Sequence, residues 1–205
     1  MLALARGPFW QDNLAALTPL PADLLQRDAR LRQALGAPDV RYLLVLEAPS
    51  AQGVLELSER LQPQVDALLA RRAADALELP SRYLPSVAVQ RARQARLPDR
   101  ATLQRALDQA LQGLPFRAAL FQPFVDDVQA ARTLPPLTPE RYAQTPLGQR
   151  LAAMLVPRDG HWLGLGTISG VHDLAALQAL GADTHGAVRL LDLKAASESL
   201  VVDYR

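Results

Sequence analysis

Val40, Tyr42, Leu43, Leu44, Val45 and Leu46 follow one another almost without interruption before the polar Glu47. An apolar run with no polar alternation predicts a strand buried on both faces, and hence a central one. Beyond Pro49 the period changes. Val54, Leu57, Leu61, Val65, Leu68 and Leu69 recur three or four residues apart, which places them on one stripe of a helix, with Ser50 positioned to cap it. Pro63 falls inside this segment and predicts a kink or break, because it removes one backbone donor. A strand feeding a helix is the first half of a βαβ unit.

The same reading extends in both directions. Residues 7–39 carry Pro8, Pro19, Pro21 and Pro38, so the first part of this stretch is expected to be an extended or irregular lead-in. It is followed by a helix capped by Asp23, punctuated by Leu24, Leu31 and Leu35 and ended by Gly36. After the long helix, Ala76, Leu77, Glu78 and Leu79 predict a short second strand. Residues 80–157 then turn helical, arginine-rich and proline-broken, with no strand predicted. The clearest helix there follows Thr102, with Leu103, Ala106, Leu107, Ala110, Leu111 and Leu114 on one face and Gly113 with Pro115 as the stop. Others are expected over residues 123–132 and, past Pro135, Pro136 and Pro139, over residues 147–156.

Residues 160–168 return to a strand pattern whose glycines would admit a bulge or another backbone nearby. A short helix over 171–180 ends at Gly181, residues 187–193 form a last strand, and 195–205 form an exit helix. The order is that of an α+β, split βαββαβ (ferredoxin-like) sheet whose middle connection is expanded into a large helical insertion. The core comprises residues 40–79 and 158–194 and the insertion residues 80–157. Residues 1–39 form the lead-in and residues 195–205 the exit.

Composition narrows the function classes. With 205 residues, 49% of them hydrophobic, the chain can bury a full core. Twenty-two basic residues stand against 21 acidic ones, so no overall charge draws it to nucleic acid or to an anionic membrane. Without cysteine there is no disulfide framework or thiolate metal site. No run approaches the roughly 18 to 20 apolar residues of a membrane span. Residues 1–6 are too short for a signal peptide and read either as a frayed terminus or as the last turn of an apolar helix. The chain as given is expected to be water-soluble.

Candidate chemistry is sparse. His161, His172 and His185 include no i, i+4 pair, so no helical zinc site is expected. The glycines from Gly160 to Gly166 lack the lysine and serine or threonine of a phosphate loop. No serine sits in a G-x-S-x-G elbow, and the adjacent Asp126 and Asp127 point to different sides of a helix. No catalytic residue, metal or cofactor is expected, and the chain is not read as an enzyme. Arg91, Arg93, Arg96 and Arg100, interleaved with Gln90 and Gln94, predict a solvated helix face, with contact to phosphates or lipid head groups as the other reading. No aromatics alternate with them to stack on bases, so nucleic acid is not an expected partner. Phe116, Phe121 and Phe124 cluster after the first insertion helix, either as core or as the wall of a cleft for an apolar ligand.

One longer pattern carries a resemblance. Leu84-Pro85-Ser86, Gln90, Arg93-Gln94-Ala95-Arg96-Leu97-Pro98, the helix over 103–114, Leu114-Pro115-Phe116 and Phe121-Gln122-Pro123-Phe124 resemble exporters of the resistance-nodulation-division superfamily, in the branch of the mycobacterial-type (MMPL-like) lipid exporters. Leu17-Thr18-Pro19-Leu20-Pro21-Ala22-Asp23-Leu24-Leu25 is similar to the lead-in after a transmembrane helix there. Residues 40–47 are similar to the first strand and 190–205 to the exit toward the next span. The resemblance implies a periplasmic loop domain, more like the second loop than the first, on the periplasmic side of the bacterial inner membrane. It implies a porter-type domain of a proton-driven exporter that passes a hydrophobic or lipid-like substrate by rigid-body motion. Its partners would be the other periplasmic and transmembrane domains of the same parent chain, with a homo-oligomer of the parent compatible. Phe116, Phe121 and Phe124 would then face the substrate, and the proton-coupling residues would lie outside this chain. A free-standing small-molecule binding module on a ferredoxin-like sheet is the alternative. An enzyme with an unrecognised site would require perturbed ionisable groups converging in a pocket.

Overall fold

The computed structural model describes residues 21–34 and 41–203. The proline-marked lead-in up to residue 20, Gly36, Val40 and the last two residues of the exit helix lie outside the described residues. Helix α1 is Ala22–Ala34, and Asp23 stands in its first turn rather than at the cap. The sheet begins with β1, Tyr42–Ala48, which leads into α2, Ala51–Ala70. Ser50 does cap that helix, accepting a hydrogen bond from the Gly53 amide at 3.0 Å. Val54, Leu57, Leu61, Val65 and Leu68 are all buried, on the stripe that the spacing predicts.

Pro63 neither breaks α2 nor ends it. The proline is exposed, so the carbonyl one turn earlier that loses its donor can be hydrated, while eight buried residues along the helix keep it seated.

Strand β2, Ala74–Glu78, follows. The insertion then contributes α3 (Val87–Ala95), α4 (Arg100–Ala110), α5 (Gln122–Ala131), a single turn α6 (Pro139–Tyr142) and α7 (Gly148–Met154). The sheet is completed by β3 (Leu155–Arg158), β4 (His161–Val171), the short α8 (Leu174–Gln178) and β5 (Val188–Asp192), and α9 (Leu193–Asp203) leads away.

The result is an α+β chain with an open five-stranded antiparallel sheet. Its order is β2-β4-β1-β5, with β3 also paired to β4. Strand β4 is long enough to take two partners end to end on one edge: Leu155 to Arg158 of β3 pair with Gly164 to His161, and Ala74 to Glu78 of β2 pair with Val171 to Thr167. The insertion therefore leaves the sheet opposite Thr167 and returns opposite Gly164, from a gap in one edge.

Two further expectations, both about the sheet, fail. Strand β3 lies where a helix was expected to run on to residue 156. Asp159 and Gly160, with φ of 44° and 80°, form the two-residue turn between Arg158 and His161; an Asp-Gly pair between strands is a strong hairpin signal. Nor is β1 buried on both faces. Tyr42, Leu44, Leu46 and Ala48 are buried and the residues between them half-buried, so the sheet has one closed and one partly open face.

The core lies between the closed face and α2, with α8 adding Leu177 and the following Leu180. Gly164, Gly166 and Ile168 of β4 point into it and are buried. A Cβ on Gly166 would sit 3.1 Å from both Leu44 Cβ and Leu79 Cδ2, so these glycines admit neighbouring side chains closely, where the sequence reading expected a bulge or another backbone.

Candidate functional site

Three places on this scaffold could support a function: the open sheet face, the root of the insertion, and its tip. The open face is a product of strand alternation. Val45, Leu163, Leu165 and Leu191 form an apolar floor, in a cleft of about 640 Å³. Arg189 and Glu47 pair across one rim at 2.9 Å, and Arg158, Asp159 and His161 at the hairpin stand on another side. Among the described residues, the lining of the cleft holds no serine, threonine or cysteine. An apolar floor with a charged rim can bind an apolar body and orient it.

At the root of the insertion, Glu78 at the end of β2 meets Arg150 of α7. The Tyr83 hydroxyl donates to Glu78 Oε2 at 2.6 Å, and Arg150 Nη2 donates to the same oxygen at 3.1 Å. The Arg150 guanidinium also lies 5.6 Å from the centre of the Tyr83 ring. The Tyr83 hydroxyl, with Arg150 and Arg82 beside it, holds the Glu78 carboxyl below its ordinary value of 4.5. Outgoing and returning chains are thereby tied to each other where they leave the sheet.

Further out, Gln90 donates to the carbonyls of Pro85 at 2.8 Å and Leu137 at 2.9 Å, and accepts from the Leu137 amide at 2.7 Å. Gln94 donates to Ala131 and Leu134 carbonyls. Read from sequence, these glutamines are spacers in a basic run. In the structure they clamp α3 to the segment after α5, and the i, i+4 spacing of two amides is the one trace of this in the sequence.

The tip carries the sequence-predicted aromatic residues. Phe116 and Phe121 meet edge to face with ring centres 6.3 Å apart. Phe121 is half-buried, whereas Phe116 and Phe124 are 54% and 52% exposed. Core packing therefore does not account for the latter two. Leu114 and Leu120 are exposed beside them in sequence, an exposure that helical spacing in α4 does not predict for Leu114.

The remaining candidates have local structural work. His172 contacts Asp75 at 2.8 Å, His161 lies near the Asp159 carbonyl, and His185 follows the turn at 182–184. Asp126 pairs with Arg100 at 2.6 Å. Ser86 caps α3 and Asp173 caps α8, while Ser58 bonds Ser81 at 2.8 Å. Among the described residues, no three histidine or carboxylate side chains converge as a metal site, and no helix is long and apolar enough to cross a membrane. Compared with protein-family models, curated proteins and solved structures, the chain matches none.

Proposed function

We propose that this chain is a periplasmic porter-type domain of a proton-driven inner-membrane exporter, similar to the lipid-exporting branch of the resistance-nodulation-division superfamily. The observation that carries the reading is the corner shared by Arg41 and Asp192. The chain enters the sheet at β1 and leaves it at β5 with these side chains paired at 2.9 Å and with the Leu193 amide bonded to the Arg41 carbonyl at 2.8 Å. Two connections at one corner suit a loop domain strung between two neighbouring membrane helices, although close ends are common among domains.

The strand order supports the same reading. Strands β1 and β2 run parallel with β4 between them, and β5 flanks β1 on the other side, as in a split βαββαβ core carrying its insertion at the middle connection. The domain passes a hydrophobic or lipid-like substrate by changing its angle to neighbouring domains of the parent, a motion that requires no nucleophile. Phe116, Phe121 and Phe124 are the proposed substrate-facing residues. Export by a parent carrying all three as alanine, with folding intact, tests this role: reduced export supports it and unchanged export removes it. A second reading, a free-standing binding module, is favoured by the open-face cleft of about 640 Å³, which lies apart from those phenylalanines.

A further inference from the structure

The near-neutral net charge of the chain conceals a segregation. Residues 80–157 contain ten arginines and five carboxylates, whereas the rest of the chain carries 12 basic and 16 acidic residues. The insertion is thus basic and the remainder acidic. The imbalance is also available at the surface. Arg91, Arg93, Arg96 and Arg117 are exposed and have no ion-pair partner among the described residues. Asp126 is engaged by Arg100 and Asp99 as the cap of α4, which leaves Asp108, Asp127 and Glu140 as the insertion's other exposed carboxylates, fewer than its exposed arginines.

The tip of this basic unit is apolar. From residue 109 to residue 125 the one charged side chain is Arg117. Residues 112–120 are all exposed, with Leu114, Phe116, Leu120 and Phe124 at 51%, 54%, 67% and 52%. Leaving several large apolar side chains in water around a chain reversal marks an interaction surface. An aromatic and aliphatic tip with arginine in and behind it matches a bilayer interface, where rings and leucines enter the acyl boundary and guanidinium groups meet phosphates.

We propose that the insertion docks its 112–124 tip into the surface of an anionic lipid bilayer, with Leu114, Phe116, Leu120 and Phe124 entering the interface. Arg117 meets the head groups, while the α3 arginines stand at the other end of the α4–α5 hairpin, where Gln94 and Arg132 join α3 to the end of α5, and add attraction to the anionic surface at longer range that salt screens. Phe116 and Phe124 are also the proposed substrate-facing residues, and the two roles meet if a lipid-like substrate is taken up at the bilayer surface; the docking itself does not rest on the exporter reading, since a free-standing module would dock in the same way.

The test uses the full 205-residue chain and vesicles of phosphatidylcholine, with or without roughly one-third phosphatidylglycerol, in a sedimentation assay. The anionic vesicles should bind it about tenfold more tightly than neutral ones, and about 0.5 M salt should remove most of that preference. The triple variant F116S/L120S/F124S should lose about tenfold in binding. Its circular dichroism spectrum should remain that of the folded chain with at most a small shift in the melt, since Phe116 gives up its edge-to-face contact with Phe121. A tryptophan placed by F116W should be quenched by brominated acyl chains in the anionic vesicles beyond the quenching of the unsubstituted chain. Equal binding to both vesicles, unchanged binding by a folded triple variant, or no added quenching in F116W would each overturn the proposal. So would binding of a short-chain phosphatidylglycerol monomer without vesicle binding, which would assign the tip to single lipids.

Discussion

Gly164 and Val54 meet across the sheet–helix interface so closely that a Cβ on Gly164 would lie 2.4 Å from Val54 Cγ1. The missing side chain lets α2 settle onto β4. Gly164→Ala should therefore destabilise the fold by about 1–3 kcal/mol through overpacking, read as a lower denaturant midpoint with unchanged slope. Adding Val54→Ala should restore part of the loss. An unaltered midpoint in the single variant would show that the interface gives way without cost.

The Glu78 carboxylate should make the insertion's attachment acid-sensitive. Its folded-state pKa lies below the ordinary 4.5, with the Tyr83 hydroxyl as the largest cause. The stabilisation is therefore fully present above about pH 5.5 and is lost as pH falls from there through the folded value. Glu78→Gln should lower the melting temperature at neutral pH, and the gap from the unsubstituted chain should close in acid. A gap independent of pH would remove the charge from the explanation.

Gln90 holds two carbonyls and one amide with a single side chain. Gln90→Ala should cost about 1–3 kcal/mol because half-buried backbone groups lose partners. Hydrogen exchange should accelerate at the Leu137 amide. Gln90→Glu keeps the acceptor but cannot donate to the two carbonyls, so it should not rescue the fold at neutral pH.

Asp192 both pairs with Arg41 and accepts from the Lys194 and Ala195 amides. Its folded-state pKa is lowered, chiefly by the Arg41 hydrogen bond. Asp192→Ala should destabilise more than Arg41→Ala, by about 1 kcal/mol for the lost cap, measured by thermal melts at neutral pH. Equal effects would mean that the cap contributes nothing.

What could be read from the sequence follows from how local each signal is. Ser50 and the α2 stripe were legible because a cap and a 3.6-residue period act within a few residues. Gly164 was legible as a close approach, but not that Val54 is the neighbour, since that contact is set by the sheet. The apolar run of β1 suggested two covered faces, yet period-2 burial emerged because α2 covers one side and the other holds the half-exposed floor of Val45, Leu163 and Leu165. Strand β3 was missed although Asp159-Gly160 signals a hairpin, since it is only four residues long and directly continues a helical pattern; it carries Pro157 and pairs with β4 alone, on the edge where proline is tolerated. At the candidate sites, the phenylalanines were visible as a cluster, but their exposure was not, because it depends on whether another element packs over the tip. The Glu78, Tyr83 and Arg150 cluster had no sequence signature at all, since it joins residues on either side of the whole insertion.

The exporter reading itself turns on the size and the membrane attachment of the natural protein. An antibody raised against this chain, applied to membranes of the source cells washed with high salt and then with alkali, tests it most directly. The account predicts a band far larger than 22.3 kDa that stays with the membrane through both washes. A band near 22.3 kDa released into the soluble fraction would contradict it and leave the free-standing binding module in its place.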